Sequence, residues 1–179
     1  MRLKPFSVCL LCLVWPLPAT LLAKPDDQTQ PIRLQADRVE IDEKKSTSLY
    51  LGHVQMEQGT LKIKADEVLV MMKEGRVDKI IIKGKPATFE QQPAKQPDIV
   101  YSKADYMEYF ADNQRLILKT NAEVTQGQNL FRGDHIEYDT RNSLVKAHKD
   151  PNSDGRVTAI IQPKVDKLKP ESEPEKPKP

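Results

Sequence analysis

The chain has 179 residues, 30% of them charged, with 28 Lys and Arg against 26 Asp and Glu. Arg2 and Lys4 stand in an N-terminal leader, and subtracting those two leaves 26 charges of each sign, which argues against a nucleic-acid partner bound by phosphate neutralisation. Both cysteines, Cys9 and Cys12, lie in the same leader, so the remainder supports neither a disulfide nor thiol chemistry.

Arg2 and Lys4 are followed by an apolar run over 6–18, broken by Pro16 and Pro18, and by the small residue Ala23. This is the pattern of a secretory signal peptide over 1–23. An uncleaved anchor needs about 20 apolar residues, and two prolines interrupt this run. A lipoprotein reading fails because Cys9 follows Val8 and Cys12 follows Leu11 instead of a small residue. The expected product is extracytoplasmic, with a polar segment at 24–30 and an all-β domain at 31–162. A disordered tail rich in Lys, Glu and Pro is expected at 163–179.

From Pro31 the chain is a succession of short strands cut by turn cues at 42–45, Gln58-Gly59, Glu74-Gly75, Asp112-Asn113, Gln126-Gly127 and Arg141-Asn142. In 61–70 the apolar residues Leu61, Ile63 and Ala65 fall on odd positions, whereas Val68 and Val70 fall on even ones. Strand side chains alternate with period two, so the switch marks a corner at Ala65-Asp66 that keeps both arms of the strand facing one interior. The same switch occurs at Ala36-Asp37, Ala104-Asp105 and Gly133-Asp134. A shift of 68 residues carries Asp37 to Asp105, Asp66 to Asp134 and Gly59 to Gly127 without a gap, so the domain is two repeated halves of one β-roll. The longest interruption, 91–98, falls between the halves. The last strand is expected at 156–162.

Asp37, Asp66, Asp105 and Asp134 occur once per corner, which fits carboxylates that accept backbone hydrogen bonds there. Catalytic carboxylates come as a pair around one bond. His53, His135 and His148 lack metal-ligand spacing. No phosphate loop, nucleophile elbow or Cys-His pair occurs, so the sequence points to no enzyme, cofactor or metal.

What the strands do supply is apolar surface for one interior, at Ile32, Leu34, Ile41, Val54, Met56, Ile63, Val68, Val70, Phe89, Met107, Tyr109, Val124, Ile136 and Tyr138. The continuous runs 49–51, 80–82 and 116–118 leave parity open, and within them Tyr50, Leu116 and Leu118 are placed inward. Such an interior is either a filled core or an incompletely closed roll that accepts an apolar ligand.

The stretches QPI at 30–32, GHVQMEQGTLKIKAD at 52–66, GKPATF at 84–89 and NAEVTQGQNLFRGD at 121–134 resemble the OstA-like family of periplasmic lipopolysaccharide-export proteins. The likeness spans 30–162. It departs at Thr120-Asn121, where the family usually has a glycine before the asparagine. The resemblance implies a twisted, partly open antiparallel β-jellyroll of about sixteen strands that binds the lipid A acyl chains of lipopolysaccharide. It also implies end-to-end stacking with inner-membrane and outer-membrane partners of the same fold, and head-to-tail association of copies through the first and last strands. The inward residues given above would then line the lipid path. The alternatives are a membrane-anchored protein of the same pathway, a structural or adhesive roll that binds no lipid, and a carbohydrate-active jellyroll, which would need a carboxylate pair and exposed aromatics.

Overall fold

The computed structural model describes residues 27–93, 97–151 and 153–163. The signal-peptide reading of 1–23 and the disordered-tail reading, apart from Pro163, fall outside them. Ten strands follow a short 3₁₀ turn, Asp27–Thr29: β1 (Ile32–Gln35), β2 (Arg38–Asp42), β3 (Thr47–Gln58), β4 (Leu61–Lys73), β5 (Arg76–Gln91), β6 (Val100–Phe110), β7 (Arg115–Gln126), β8 (Asn129–Asp139), β9 (Leu144–His148) and β10 (Thr158–Ile160). All pairings are antiparallel and join neighbours in chain order, with β1 and β2 both on β3, and β9 and β10 both on β8. β1 and β10 do not pair, so the sheet stays open.

The long strands bend. Register slips occur between Leu51 and Val54, Lys64 and Glu67, Lys83 and Ala87, Lys103 and Tyr106, and Lys119 and Ala122. Each slip is a bulge that re-aims the strand, and together they form one seam. On one side of it lies a first arm: β1, the distal half of β3, the start of β4, the end of β5, the start of β6, the end of β7, the start of β8, and β10. On the other side lies a second arm: β2, the start of β3, the end of β4, the start of β5, the end of β6, the start of β7, the end of β8, and β9. The sixteen expected strands are therefore ten continuous ones; six cross the seam and count twice.

The corner chemistry follows the repeat. In β3 the bend is made by Gly52 and His53, with φ of 76° and 43°, and in β7 by Thr120 and Asn121, with φ of 63° and 55°. Gly52 is required twice over, by its positive φ and because a Cβ there would lie 2.2 Å from Asp37 Oδ2. Thr120 holds the equivalent conformation with a branched Cβ. β5 turns its corner at 84–86, where the Lys85-Pro86 bond is cis.

The two arms face each other across one core. Burial in β4 alternates at Leu61 and Ile63 before the corner and at Val68 and Val70 after it, as the parity switch requires. Phe89 of the first arm meets Tyr109 of the second with ring centroids 5.3 Å apart. No described helix is long and apolar enough to cross a membrane.

Candidate functional site

Thirteen of the positions assigned inward from sequence are buried in this core: Val54, Met56, Ile63, Val68, Val70, Phe89, Met107, Tyr109, Leu116, Leu118, Val124, Ile136 and Tyr138. Leu34 and Tyr50 are half-buried against it. Ile32 and Ile41 differ, at 37% and 67% exposed. Their parity is inward, since Ile32 stands opposite Gln58 and Ile41 opposite Ser48 on the faces that carry Met56 and Tyr50. They are uncovered because β1 and β2 form the end of the sheet and nothing described lies beyond. The core also contains Leu61, which the parity switch turns inward, and Ile80, Ile82, Ala87, Val100, Ala111 and Ala122, which sequence reasoning did not place along the path. Ile80 and Ile82 settle the parity of that run, with Ile81 on the outer face.

The exposed large apolar side chains are distributed unevenly. Of the nine among the described residues, Ile32, Val39 and Ile41 lie on β1 and β2, and Leu144, Val157, Ile160 and Ile161 lie on or beside β9 and β10. Only Ile99 and Tyr101 lie elsewhere. The interior is thus an apolar trough filled by its own packed side chains, closed along the seam, whose two ends carry unpaired strand edges and uncovered apolar residues. The last strand is shorter than its expected 156–162, and only Thr158–Ile160 pairs with β8.

The corner aspartates do not all accept backbone donors. Asp134 does: its Oδ2 accepts the Asp150 amide at 2.9 Å and the Ser153 hydroxyl. These bonds, the Ser153 hydroxyl first, hold its carboxyl below the usual range. Asp105 instead accepts from Asn121 Nδ2 at 2.8 Å, and Asp37 lies 2.8 Å from His53 Nδ1. Both pairs join residues 16 apart across equivalent corners, because a positive-φ residue on the neighbouring strand brings its side chain to the carboxylate. The Asp37 hydrogen bond raises the His53 pKa, and the charges of Asp37 and Asp66 add to it. Asp66 accepts no hydrogen bond among the described residues, so the backbone-donor reading does not hold for it, nor for Asp37 and Asp105.

The histidines also divide. His53 is solvated, with its side chain 91% exposed, whereas His135 Nε2 is buried with no hydrogen-bond partner among the described residues, 3.8 Å from Glu137 Oε1, and its ring meets His148 edge-on at 6.1 Å. The described residues hold no cluster suited to a metal ion.

The segment read as a polar leader is built into the trough. Asp27 Oδ1 accepts the Thr60 amide at 2.7 Å, and Asp27 Oδ2 accepts Thr60 Oγ1 at 2.7 Å and Gln91 Nε2 at 3.0 Å. Gln58 Nε2 donates to the Gln30 carbonyl at 3.1 Å, and Gln28 Nε2 donates to the Ala111 carbonyl at 2.5 Å. The first four of these contacts lie on the first arm and the last on the second.

Residues 33–143 match the family described as LptA/(LptD N-terminal domain) LPS transport protein. The lipopolysaccharide export system protein LptH of Pseudomonas aeruginosa is 36% identical over 149 residues, 80% of this chain and 85% of that protein. The corresponding LptA of Haemophilus influenzae is 30% identical over 166 residues, 91% of this chain and 95% of its own length. The crystal structure of the Pseudomonas LptH, there called the LptA homologous periplasmic component of the lipopolysaccharide transport device, superposes with a TM-score of 0.70 at 34% identity and covers 78% of this chain and 100% of that one.

Proposed function

The chain belongs to the LptA/(LptD N-terminal domain) family of lipopolysaccharide transport proteins, and on that premise we propose that it is a periplasmic carrier whose trough shields lipid A acyl chains between the two membranes. Residues 1–23 direct its export and are then removed. The observation that carries this reading is the continuous apolar interior between two eight-stranded arms, open at both ends. Acyl chains exposed to water cost about 0.8 kcal/mol per CH₂, and a trough lined by Ile32, Leu34, Tyr50, Met56, Ile63, Val68, Phe89, Met107 and Ile136 removes that cost along its length.

Copies join head to tail, and the repeat supplies the register. Within the molecule, β5 ends the first half and pairs with β6, which opens the second. β9 and β10 take the place of β5 in the second half, while β1 and β2 take the place of β6 in the first. The core residues Ile80 and Ile82 pair with Tyr109 and Met107. Val145 and Ala147 stand opposite Tyr138 and Ile136 as Ile80 and Ile82 stand opposite Val70 and Val68; by that ladder position they would pair with Ile41 and Val39 of the next copy, all with inward parity, which covers Val39 and Ile41. Such a contact is heterologous and does not close, so it yields open filaments by β-augmentation.

Two measurements test the proposal. Fluorophore-labelled lipopolysaccharide should bind the chain lacking 1–23, and Val68→Asp, which puts an unpaired charge in the interior, should weaken binding at least tenfold. Ile41→Asp, at an exposed position, guards against loss of fold. A folded Val68→Asp protein that binds as the parent does would refute the lipid path. A mixture of Val39→Cys and Ala147→Cys chains should cross-link between molecules on oxidation, and light scattering should show mass rising continuously with concentration. A mass fixed at monomer or dimer would refute the stack.

A further inference from the structure

Opposite the seam, the trough has a long lateral mouth between the hairpin tips of its two arms. The first-arm lip carries the β3–β4 turn at Gly59 and Thr60 and the end of β5, and the second-arm lip carries the β4–β5 turn at Gly75 and the residues after β6 at Ala111 and Asp112. Residues 27–30 lie across this gap, bonded to Thr60, Gln91 and Gln58 on one lip and to the Ala111 carbonyl on the other. Gly59 makes the fit possible, because a Cβ there would stand 2.3 Å from Asp27 Oδ1. Beneath the segment is a slot of about 270 Å³ with an apolar floor that includes Leu61, Met72, Val77 and Tyr109.

The cover and the slot are chemically mismatched. Asp27, Gln28, Thr29 and Gln30 contain no large apolar side chain, so the segment bridges a slot of apolar floor and polar rim while contributing almost no apolar burial, and it is held by hydrogen bonds that water can replace. An apolar chain of a bound ligand would gain burial in the same place. The rim does not select for charge, since it carries Arg76 against Asp27 and Asp112; the selective part is the floor.

Resting on the carrier function proposed above, we infer that the slot is a lateral access subsite for one acyl chain and that Asp27–Gln30 is a latch over it. Lipid then passes sideways between the lips, its polar part remaining in water, without having to thread a chain end from one open end of the trough to the other. Asp27 is a positioning residue in this scheme: it holds the latch and touches no ligand. Pro31 sits between latch and β1; it lacks an amide donor and so adds nothing to the latch's bonds.

The test uses the chain lacking 1–23 with fluorophore-labelled lipopolysaccharide in stopped flow, together with hydrogen exchange at the Thr60 amide. Asp27→Ala removes three bonds to the first-arm lip, and Gln28→Ala removes the bond to the second. Each variant should raise the association rate several-fold and the dissociation rate with it, while Asp27→Asn should fall between. In the parent protein, lipid should accelerate exchange at Thr60, a response that a merely structural brace would not give. Unchanged rates in both alanine variants, or a Thr60 amide that lipid leaves equally or better protected, overturn the latch while leaving the carrier reading intact. A parent protein that binds no lipopolysaccharide overturns the carrier reading itself, and the latch with it.

Discussion

Thr120→Gly should stabilise this protein, against the usual rule that glycine weakens a strand. Thr120 has φ of +63°, and its side chain is exposed. A left-handed backbone costs an L-residue roughly 1–2 kcal/mol, and a β-branched residue there is a genuine outlier. Glycine removes that cost but adds about 0.5–1 kcal/mol of lost chain entropy. Because the exposed side chain gives up no burial, the balance is a gain of about 0.5–1 kcal/mol, or roughly 2–3 °C in Tm for a domain of this size. Urea and thermal denaturation, with Thr120→Ala as control, measure it. Alanine keeps the positive-φ penalty and should change little. The repeat supplies the converse experiment, for Gly52→Ala introduces a Cβ at φ +76° within 2.2 Å of Asp37 Oδ2 and should cost more than about 1 kcal/mol. A Thr120→Gly protein no more stable than the parent, or a neutral Gly52→Ala, would refute the claim that the two corners are equivalent.

Asp134→Ala should loosen the segment between β9 and β10, seen as faster exchange at the Asp150 amide, whereas Asp66→Ala, with no hydrogen bond to lose among the described residues, should leave the urea midpoint nearly unchanged. The Tyr138 hydroxyl is buried without a hydrogen-bond partner among the described residues, and burial pushes its pKa up to about 12; Tyr138→Phe should therefore be neutral or stabilising by up to about 1 kcal/mol in the same urea titration, and a clear loss would reveal a further partner. His53 should titrate by NMR above the ordinary value of 6.5, and Asp37→Asn should return it towards that value. A raised folded pKa means the His53–Asp37 pair contributes fully below pH 6.5 and is lost as pH rises through the folded value.

The corners were legible because the parity switch in β4 depends only on side-chain alternation, and the repeat was legible because its halves align without a gap. Inward parity in 80–82 was not legible, because Ile81 on the outer face is itself half-buried, so both faces read as apolar. Ile32 and Ile41 were given the correct face, but burial also needs a neighbouring strand on each side, which no local pattern reports. Ala87 and Ala122 were missed because alanine carries little hydrophobic signal, although the seam admits only a small side chain. Asp27 was missed because the segment 27–30 attaches by hydrogen bonds, and a polar stretch reads the same whether it is docked or free.

The unequal lengths of the ladders have a mechanical consequence. In the proposed stack the strands lie across the long axis, so tension between the two membranes pulls along the hydrogen bonds and loads the pairs of one ladder in parallel. Inside the molecule the junction of the halves is a ladder of ten residue pairs. The tail end that meets the next copy offers only the five residues of β9 and the three of β10. The ladder that holds β9 and β10 to β8 has five pairs and three, no more than the join can form, so under load the span gives way at its tail ends before the two halves of a copy separate. Such a span would break near its joins when the membranes are pulled apart, leaving the central strands of each copy paired.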